Sequence, residues 1–422
     1  MTTSGAPGKD RLRILAISEH YLPRVAGTTT SVVETARALA AAGHTLTLIV
    51  PGKARPEDAA EPYEVVRLTP EWPEWPKVID PPRAIRYAFA DAATAYAQAA
   101  AAEGRVDVVH VLFGLFVMER MAPKLPTFPI PAVATIHNMP PLECARSFPG
   151  DHPLSRLRDR VRVALVAAKN RRRLSGERFD TYIVPSGQVA DLVRRTLPDA
   201  RVATIGHGVG DTLLTLMRPP ATRRPAPGAP ISLLTVGGIV PHKRQLLIPE
   251  TAARLRDRGV DVDWTMVGPS RNAGYRTAIE SAVARHDVGD RVHLLPPAEW
   301  DELAALYDAA NLYVQPSIEE GFCLTALDAA AAGLSVIGSP AGALPDLVEI
   351  SGGRLVVSRS SVLADAVEDF VAGDRWVEDA LGQSDQVCRV YSWMSVAKLL
   401  EELYREFAVN KGGCQCLNCK IR

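Results

Sequence analysis

The sequence predicts an α/β protein built of two doubly wound, parallel-sheet domains that face one another across a cleft. Short apolar runs alternate with helix-patterned segments along the whole chain, the pattern of a parallel sheet covered on both faces. Residues 217–230 read MRPPATRRPAPGAP, five prolines in fourteen residues, a stretch that can enter neither sheet nor helix. Beyond it the rhythm of strand and glycine loop starts again. The 422 residues allow two or three domains, and the proline-rich linker with the restart sets the count at two.

The elements follow in order. Residues 12–18 form a buried-strand run, a loop holds Pro23 and Gly27, and 31–42 carry helical periodicity. Gly43 stops that helix and 45–50 form the next strand. Apolar runs at 106–111, 132–136 and 181–184 continue the first sheet. In the second half, 232–236 is a strand, Gly237 and Gly238 open a loop, 246–258 is helix-like and 263–267 ends at Gly268. A strand at 291–295, a helix at 301–310 and a strand at 312–315 complete the reading. Ligands of such sheets bind beyond the carboxyl ends of the strands, so the loops after Ser18, Ile136, Val236, Val267 and Gln315 are where a site is expected.

Composition narrows the function classes. The chain is 47% apolar and 23% charged, and its 48 Lys and Arg balance 48 Asp and Glu. A net charge of zero gives no overall attraction to nucleic acid or to an anionic membrane, so any charge-driven partner must bind locally. No run of 18 apolar residues occurs, and the polar N-terminus lacks the layout of a secretory signal, so a cytoplasmic protein is expected. Cys144, Cys323 and Cys388 are scattered, and Cys414, Cys416 and Cys419 crowd the C-terminus, which suggests no disulfide framework. Neither leading strand is followed by G-x-G-x-x-G, which disfavours a dehydrogenase.

The most informative stretch is QPSIEEGFCLTALDAAAAG, residues 315–333. A strand ends at Pro316, Glu320-Gly321-Phe322 turns, and 323–332 has the composition of a helix closed by Gly333. Glu320 therefore precedes the helix and Asp328 lies inside it, while the helix N-terminus offers free N–H groups and a positive dipole end suited to a diphosphate. This segment resembles the E-x7-E signature of the retaining, nucleotide-sugar-dependent glycosyltransferases of the GT-B fold, the group 1 or family 4 type. Other landmarks resemble that family in the same order: PRVAG at 23–27, AAAGH at 40–44, DVVH at 107–110, TIH at 135–137, IGHGV at 205–209, VGGIVPHK at 236–243 and YSW at 391–393.

The resemblance implies two Rossmann-like domains: an acceptor domain over 1–215, a linker over 216–230 and a donor domain over 231–390. A helix over 391–408 returns to the first domain, and 409–422 form a Cys-rich tail. It implies transfer of a hexose-type residue from a UDP- or GDP-linked sugar to a small-molecule, saccharide or lipid-linked hydroxyl acceptor. Glu320 would meet the donor sugar, Asp328 the ribose hydroxyls, Lys243 the diphosphate and His137 the sugar near the reacting carbon, with Glu320, His137 and Lys243 as the catalytic set. Gly27, Gly238, Arg244, Gly321, Phe322, Cys323 and Leu324 would line the donor site, residues 294–297 would lie near the base, and His110 would line the acceptor pocket. Nothing resembles a metal-binding Asp-x-Asp arrangement, so neither metal nor other cofactor is expected, and nucleic acid is not an expected partner.

Three positions depart from the family pattern. Asp328 stands where Glu is usual, Gly238 where an Arg partner of Lys243 is usual with Arg244 in place of the following glycine, and Ala26-Gly27 where Gly-Gly is usual. Two other readings share the fold: a sugar-nucleotide-binding homologue without turnover, and a sugar-nucleotide epimerase that needs no acceptor.

Further segments have simpler readings. Residues 156–178 carry nine Lys and Arg against Asp159 and Glu177. A basic amphipathic helix there can rest on an anionic membrane, but without Trp anchors a solvated helix is the default. His207, between two glycines, serves either a turn or a ligand. Glu319 is a solvent-facing neighbour of Glu320, Trp72 and Trp75 line an acceptor site or pack over the first domain, and the three terminal cysteines fall one ligand short of a structural zinc site.

Overall fold

A computed structural model describes residues 11–23, 27–69, 81–138, 153–174, 178–270 and 272–411. Ala26, Trp72, Trp75, Cys144, Glu177, Cys414, Cys416 and Cys419 lie outside these residues. Two parallel sheets form the chain. The first contains β1 (Arg13–Ser18), β2 (Thr45–Pro51), β3 (Glu64–Leu68), β4 (Val108–Phe113), β5 (Ala132–Thr135), β6 (Thr181–Val184) and β7 (Val202–Thr204). Its order is β3-β2-β1-β4-β5-β6-β7. The second contains β8 (Ile231–Val236), β9 (Val262–Val267), β10 (Val292–Leu295), β11 (Leu312–Gln315), β12 (Ser335–Gly338) and β13 (Arg354–Leu355), in the order β10-β9-β8-β11-β12-β13. Every pairing is parallel.

In each sheet the winding direction reverses between the first strand and the strand beyond the helical crossover, β1 with β4 and β8 with β11. Such switch points leave a crevice between diverging loops, and a parallel doubly wound sheet places its ligands there. The central strands read as continuous apolar runs because both faces are covered, as Ile14 to Ile17 and Leu312 to Val314 are. The edge strands β3 and β7 are only partly buried, and their mixed patterns gave no strand signal in the sequence.

The helices that flank the crevices follow from local sequence. Gly27–Ala41 buries Val32, Val33, Ala36 and Leu39 at helical spacing, and Gly43, with φ +93, ends it. Arg83–Ala102 buries Phe89 among Ala90, Ala93, Ala97 and Ala100, small side chains that let it lie close to the sheet. Trp393–Lys411 crosses back to the first lobe, where Trp393, Val396, Ala397, Leu400, Leu403, Tyr404 and Phe407 join the core beside Val32, Val33 and Leu39.

The passage between lobes differs from the expected linker in one respect. Val209, Leu213 and Met217 already pack in the core of the second lobe, so the crossing occurs before the prolines begin. The Pro-rich stretch is then fastened down by Arg223. This buried side chain donates to the carbonyls of Tyr307 (3.1 Å), Asp308 (2.7 Å), Ala310 (3.2 Å) and Ala332. It closes the C-terminal ends of Trp300–Ala309 and Leu324–Ala331 together, where unpaired carbonyls and the negative dipole end favour a cation. Burial lowers its pKa to about 10 despite Asp308 nearby. Replacing Arg223 by Ala orphans these carbonyls and is expected to cost about 3 kcal/mol in urea unfolding, with Arg223→Lys recovering only part.

Candidate active site

The two crevices open on each other. On the second lobe, β8 runs into a glycine loop and the tight turn Pro241–Lys243, and β11 runs into the turn before Leu324–Ala331. The Ile318 amide donates to the His242 carbonyl at 2.8 Å, joining these loops. Between them Lys243 Nζ donates to Glu320 Oε1 at 2.8 Å. A relay of buried side chains fixes that carboxylate. Tyr313 OH donates to Gln315 Oε1 (2.8 Å), Gln315 Nε2 to Ser317 Oγ (2.7 Å) and Ser317 Oγ to Glu320 Oε1 (2.7 Å). Glu320 thus receives hydrogen bonds on one oxygen from a lysine and a serine, both held by the sheet.

Leu324–Ala331 begins in an unusual way. Its N-cap, Cys323, is left-handed (φ 88) and makes no side-chain cap, and the first turn contains no acid. The terminal N–H groups and the positive dipole end are left for an anion. Gly27–Ala41 of the first lobe likewise has no acidic first turn, and a Cβ built on Gly27 would lie 3.6 Å from Leu324 Cδ1. Two helix N-termini therefore converge on one spot, beside the loop that carries Lys243. Burial pushes the Cys323 thiol up to about 12, so it is an inert neutral group there.

Asp328 sits farther along the same helix, half-buried, with no hydrogen-bonding or charged partner among the described residues. Burial raises its carboxyl to about 7. A carboxyl with that pKa titrates around neutral pH and can accept hydrogen bonds once ionised.

The first lobe supplies His137, at the end of β5. Its Nε2–H donates to the Leu112 carbonyl at 2.8 Å, which leaves Nδ1 as an acceptor. Burial, with His20 nearby, lowers its pKa to about 4, so the ring is neutral at pH 7. It stacks on His207 at 5.3 Å, and His207 in turn meets Phe322 at 5.0 Å and Trp393 at 5.9 Å. His207 also pairs with Ser31 Oγ at 3.1 Å. Backbone meets backbone at Gly321, where any Cβ would collide with the His137 carbonyl oxygen. Ser186 Oγ donates to the Gly321 carbonyl at 2.8 Å, and Gln188 bonds both Gly342 N and the Pro340 carbonyl. These contacts hold the lobes closed.

The other expected site residues have partners of their own. His110 is 1% exposed, with Nδ1 against Tyr404 OH (2.6 Å) and Nε2 against Thr135 Oγ1 (2.7 Å). Both ring nitrogens are occupied, so it anchors the C-terminal helix to β4, and it lines the same small cavity as His137 and His207. Arg244 is left-handed (φ 60) and reaches the Ser358 carbonyl at 3.5 Å. Gly238 gives its carbonyl to Gln245 Nε2 at 2.8 Å. Residues 294–297 leave β10 at the sheet edge, half-buried to exposed. His207 proves to be an interlobe packing residue. Ser186, Gln188, Ser317 and Gln315 were not singled out from the sequence, and only Ser186 carried a local signal, as an N-cap before Gly187–Thr196. Among the described residues no group of three His, Cys, Asp or Glu side chains is placed to hold a metal ion.

Residues 230–372 match the family description "Glycosyl transferases group 1", and residues 25–212 match "Glycosyltransferase Family 4". The chain belongs to this glycosyltransferase family. Among its relatives, the D-inositol 3-phosphate glycosyltransferase of Corynebacterium glutamicum is 30% identical over 228 residues, 51% of this chain and 53% of that protein. The protein of the same name from Thermobispora bispora is 28% identical over 320 residues, 72% of this chain and 71% of its own. The matched region spans about half the length of the first of these relatives. Among solved structures, sucrose-phosphate synthase from Thermosynechococcus elongatus superposes with a TM-score of 0.69 at 22% identity, covering 95% of this chain and all of that one. Anabaena HepE in complex with UDP and glucose gives 0.64 at 15% identity, covering 94% and 100%. The fold is thus the GT-B arrangement of two Rossmann-like domains.

Cys323 tests the local geometry directly. A left-handed residue with a Cβ is strained by roughly 1–2 kcal/mol, which glycine escapes and alanine does not. Cys323→Gly is expected to be about 1 kcal/mol more stable than Cys323→Ala in thermal unfolding.

Proposed function

We propose that this chain transfers a hexose-type residue from a nucleoside diphosphate sugar to a hydroxyl acceptor, with retention at the anomeric carbon. The observation that carries the reading is the Lys243–Glu320 pair set beside two converging helix N-termini and opposite His137. Lys243 and the helix ends neutralise the diphosphate as it departs, a charge-stabilising role that needs no divalent cation. Glu320 accepts from the hydroxyls of the donor sugar, and the Asp328 carboxyl accepts from the ribose. Neutral His137 lies over the sugar with Nδ1 free to accept.

Glu320 is engaged by Lys243 and Ser317 and is not poised as a nucleophile. A front-face reaction suits this arrangement. The acceptor oxygen bonds to the anomeric carbon on the side from which the phosphate leaves, the carbon–oxygen bond to phosphate breaks, and the departing phosphate oxygen takes the acceptor proton. Positioning and electrostatic stabilisation supply the rate. UDP-, GDP- and ADP-linked hexoses are the donors to try, and inositol phosphate belongs among the acceptors because the named relatives act on it.

Nucleoside diphosphate release from the purified protein, with the product anomer read by NMR, tests this reading. The expected result is acceptor-dependent release with retained configuration, unaffected by EDTA. Glu320→Gln is expected to lower kcat at least 100-fold, the scale of losing a transition-state charge partner. Release without acceptor and without transfer, or full activity in Glu320→Gln, contradicts it.

Asp328 gives a pH signature. Its folded-state pKa lies near 7, above the unfolded value of 3.8, so the native state holds the proton more tightly and its contribution to stability falls as pH rises through that window. Ribose hydroxyls donating to the carboxylate favour the ionised form. Nucleoside diphosphate affinity is therefore expected to rise between about pH 6 and 8 relative to Asp328→Asn, in which calorimetric titration should show that component lost.

A further inference from the structure

The turn that carries Glu320 is gripped from the first lobe by two side chains at the start of one helix. Ser186 follows β6 and caps Gly187–Thr196, where its oxygen accepts from Val189 N at 3.4 Å, and its hydroxyl donates to the Gly321 carbonyl at 2.8 Å. A hydroxyl accepts and donates at once, so the cap and the interlobe bond do not compete. Two residues on, the exposed Gln188 amide meets the loop after β12, its oxygen accepting from Gly342 N and its nitrogen donating to the Pro340 carbonyl at 3.3 Å.

The two gripped loops flank Glu320. Gly321 is its chain neighbour, and Gly342, left-handed at φ +59, lies so close that a Cβ there would stand 2.8 Å from Glu320 Cβ. Ala343 N donates to the Phe322 carbonyl at 3.2 Å and laces the loops together, while Ile318 N, donating to the His242 carbonyl at 2.8 Å, ties the same turn to the Lys243 loop. Phe322 also sits on the first lobe, where a Cβ on Gly206 would lie 2.9 Å from its ring. Separation of the lobes therefore releases Gly321, Phe322 and Gly342 together. Glu320 keeps its side-chain bonds to Lys243 and Ser317 but loses the support of the backbone around it.

We propose that Ser186 and Gln188 are positioning residues that set Glu320 for the donor sugar only while the lobes are shut, so that a first lobe closed over its acceptor completes the donor site of the second. The proposal rests on the sugar-contacting role given to Glu320 above. Both residues act through the backbone on either side of Glu320. A misplacement of about 1 Å in a positioned group can cost about 100-fold in rate, so such bonds weigh far more on turnover than on stability.

Hydrogen exchange and steady-state kinetics of the full chain carrying Ser186→Gly with Gln188→Ala test the proposal. Glycine is well tolerated at an N-cap and alanine inside a helix, so the unfolding midpoint should move by less than about 2 °C. The Ile318 and Ala343 amides bond wholly within the second lobe. They are expected to exchange at least about fivefold faster in the double variant, although neither substitution touches them. The kcat for transfer should fall at least about tenfold while the donor KM stays within about twofold. Gln188→Glu keeps the acceptor for Gly342 N and should retain more of kcat than Gln188→Ala. The exchange readout needs no turnover, so it decides the coupling whether or not the proposed reaction occurs. Unchanged exchange at both amides, or a rise in KM with kcat unaltered, would overturn it.

Discussion

The arrangement depends on one ion pair. Lys243 and Glu320 come from loops after different strands, β8 and β11, which are neighbours only because the sheet reverses its winding between them. Burial of both partners would be costly without further hydrogen bonds. The cost is met by Ser317, Gln315 and Tyr313, which deliver donors along the strand to the carboxylate. The relay orients Glu320 while leaving its second oxygen outside the chain of bonds, and it places the lysine charge beside the uncapped end of Leu324–Ala331.

Closure of the lobes is a backbone matter. Gly321 approaches the His137 carbonyl more closely than any side chain would allow, and from the first lobe Ser186 grips the Gly321 turn and Gln188 the Pro340–Gly342 turn. At the other end of that helix Arg223 seals the carbonyls, so the helix that presents its N-terminus to the cleft is tied to the interlobe strap at its C-terminus. Trp393 and His110 complete the return of the chain: Trp393 packs against His207, and His110 holds Tyr404.

Much of this was legible in the sequence. The continuous apolar runs gave the central strands, β6 and β11 to the residue, because burial on both faces leaves a local trace. Lys243, Glu320 and His137 were singled out by the family resemblance, and the structure pairs Lys243 with Glu320 and sets the His137 carbonyl against Gly321. What was missed depends on distance along the chain. Ser186 reaches Gly321 across 135 residues and Arg223 reaches Ala332 across 109, and no local pattern encodes such contacts. The Tyr404 partner of His110 lies 294 residues away, so a histidine at a strand end gives no local sign of it.

The central claim is that Lys243 is held for a diphosphate and Glu320 for a sugar. It is tested most directly by the thermal shift that UDP, GDP and ADP produce in wild type, Lys243→Met and Glu320→Gln. A nucleotide at 100 times its Kd adds about 2.7 kcal/mol, a shift of roughly 3 °C for a chain of this size. The account predicts that shift for at least one nucleotide in wild type, its loss in Lys243→Met, and its retention in Glu320→Gln, where the lysine is released from its partner. No shift with any nucleotide, or an equal shift in wild type and Lys243→Met, would contradict it.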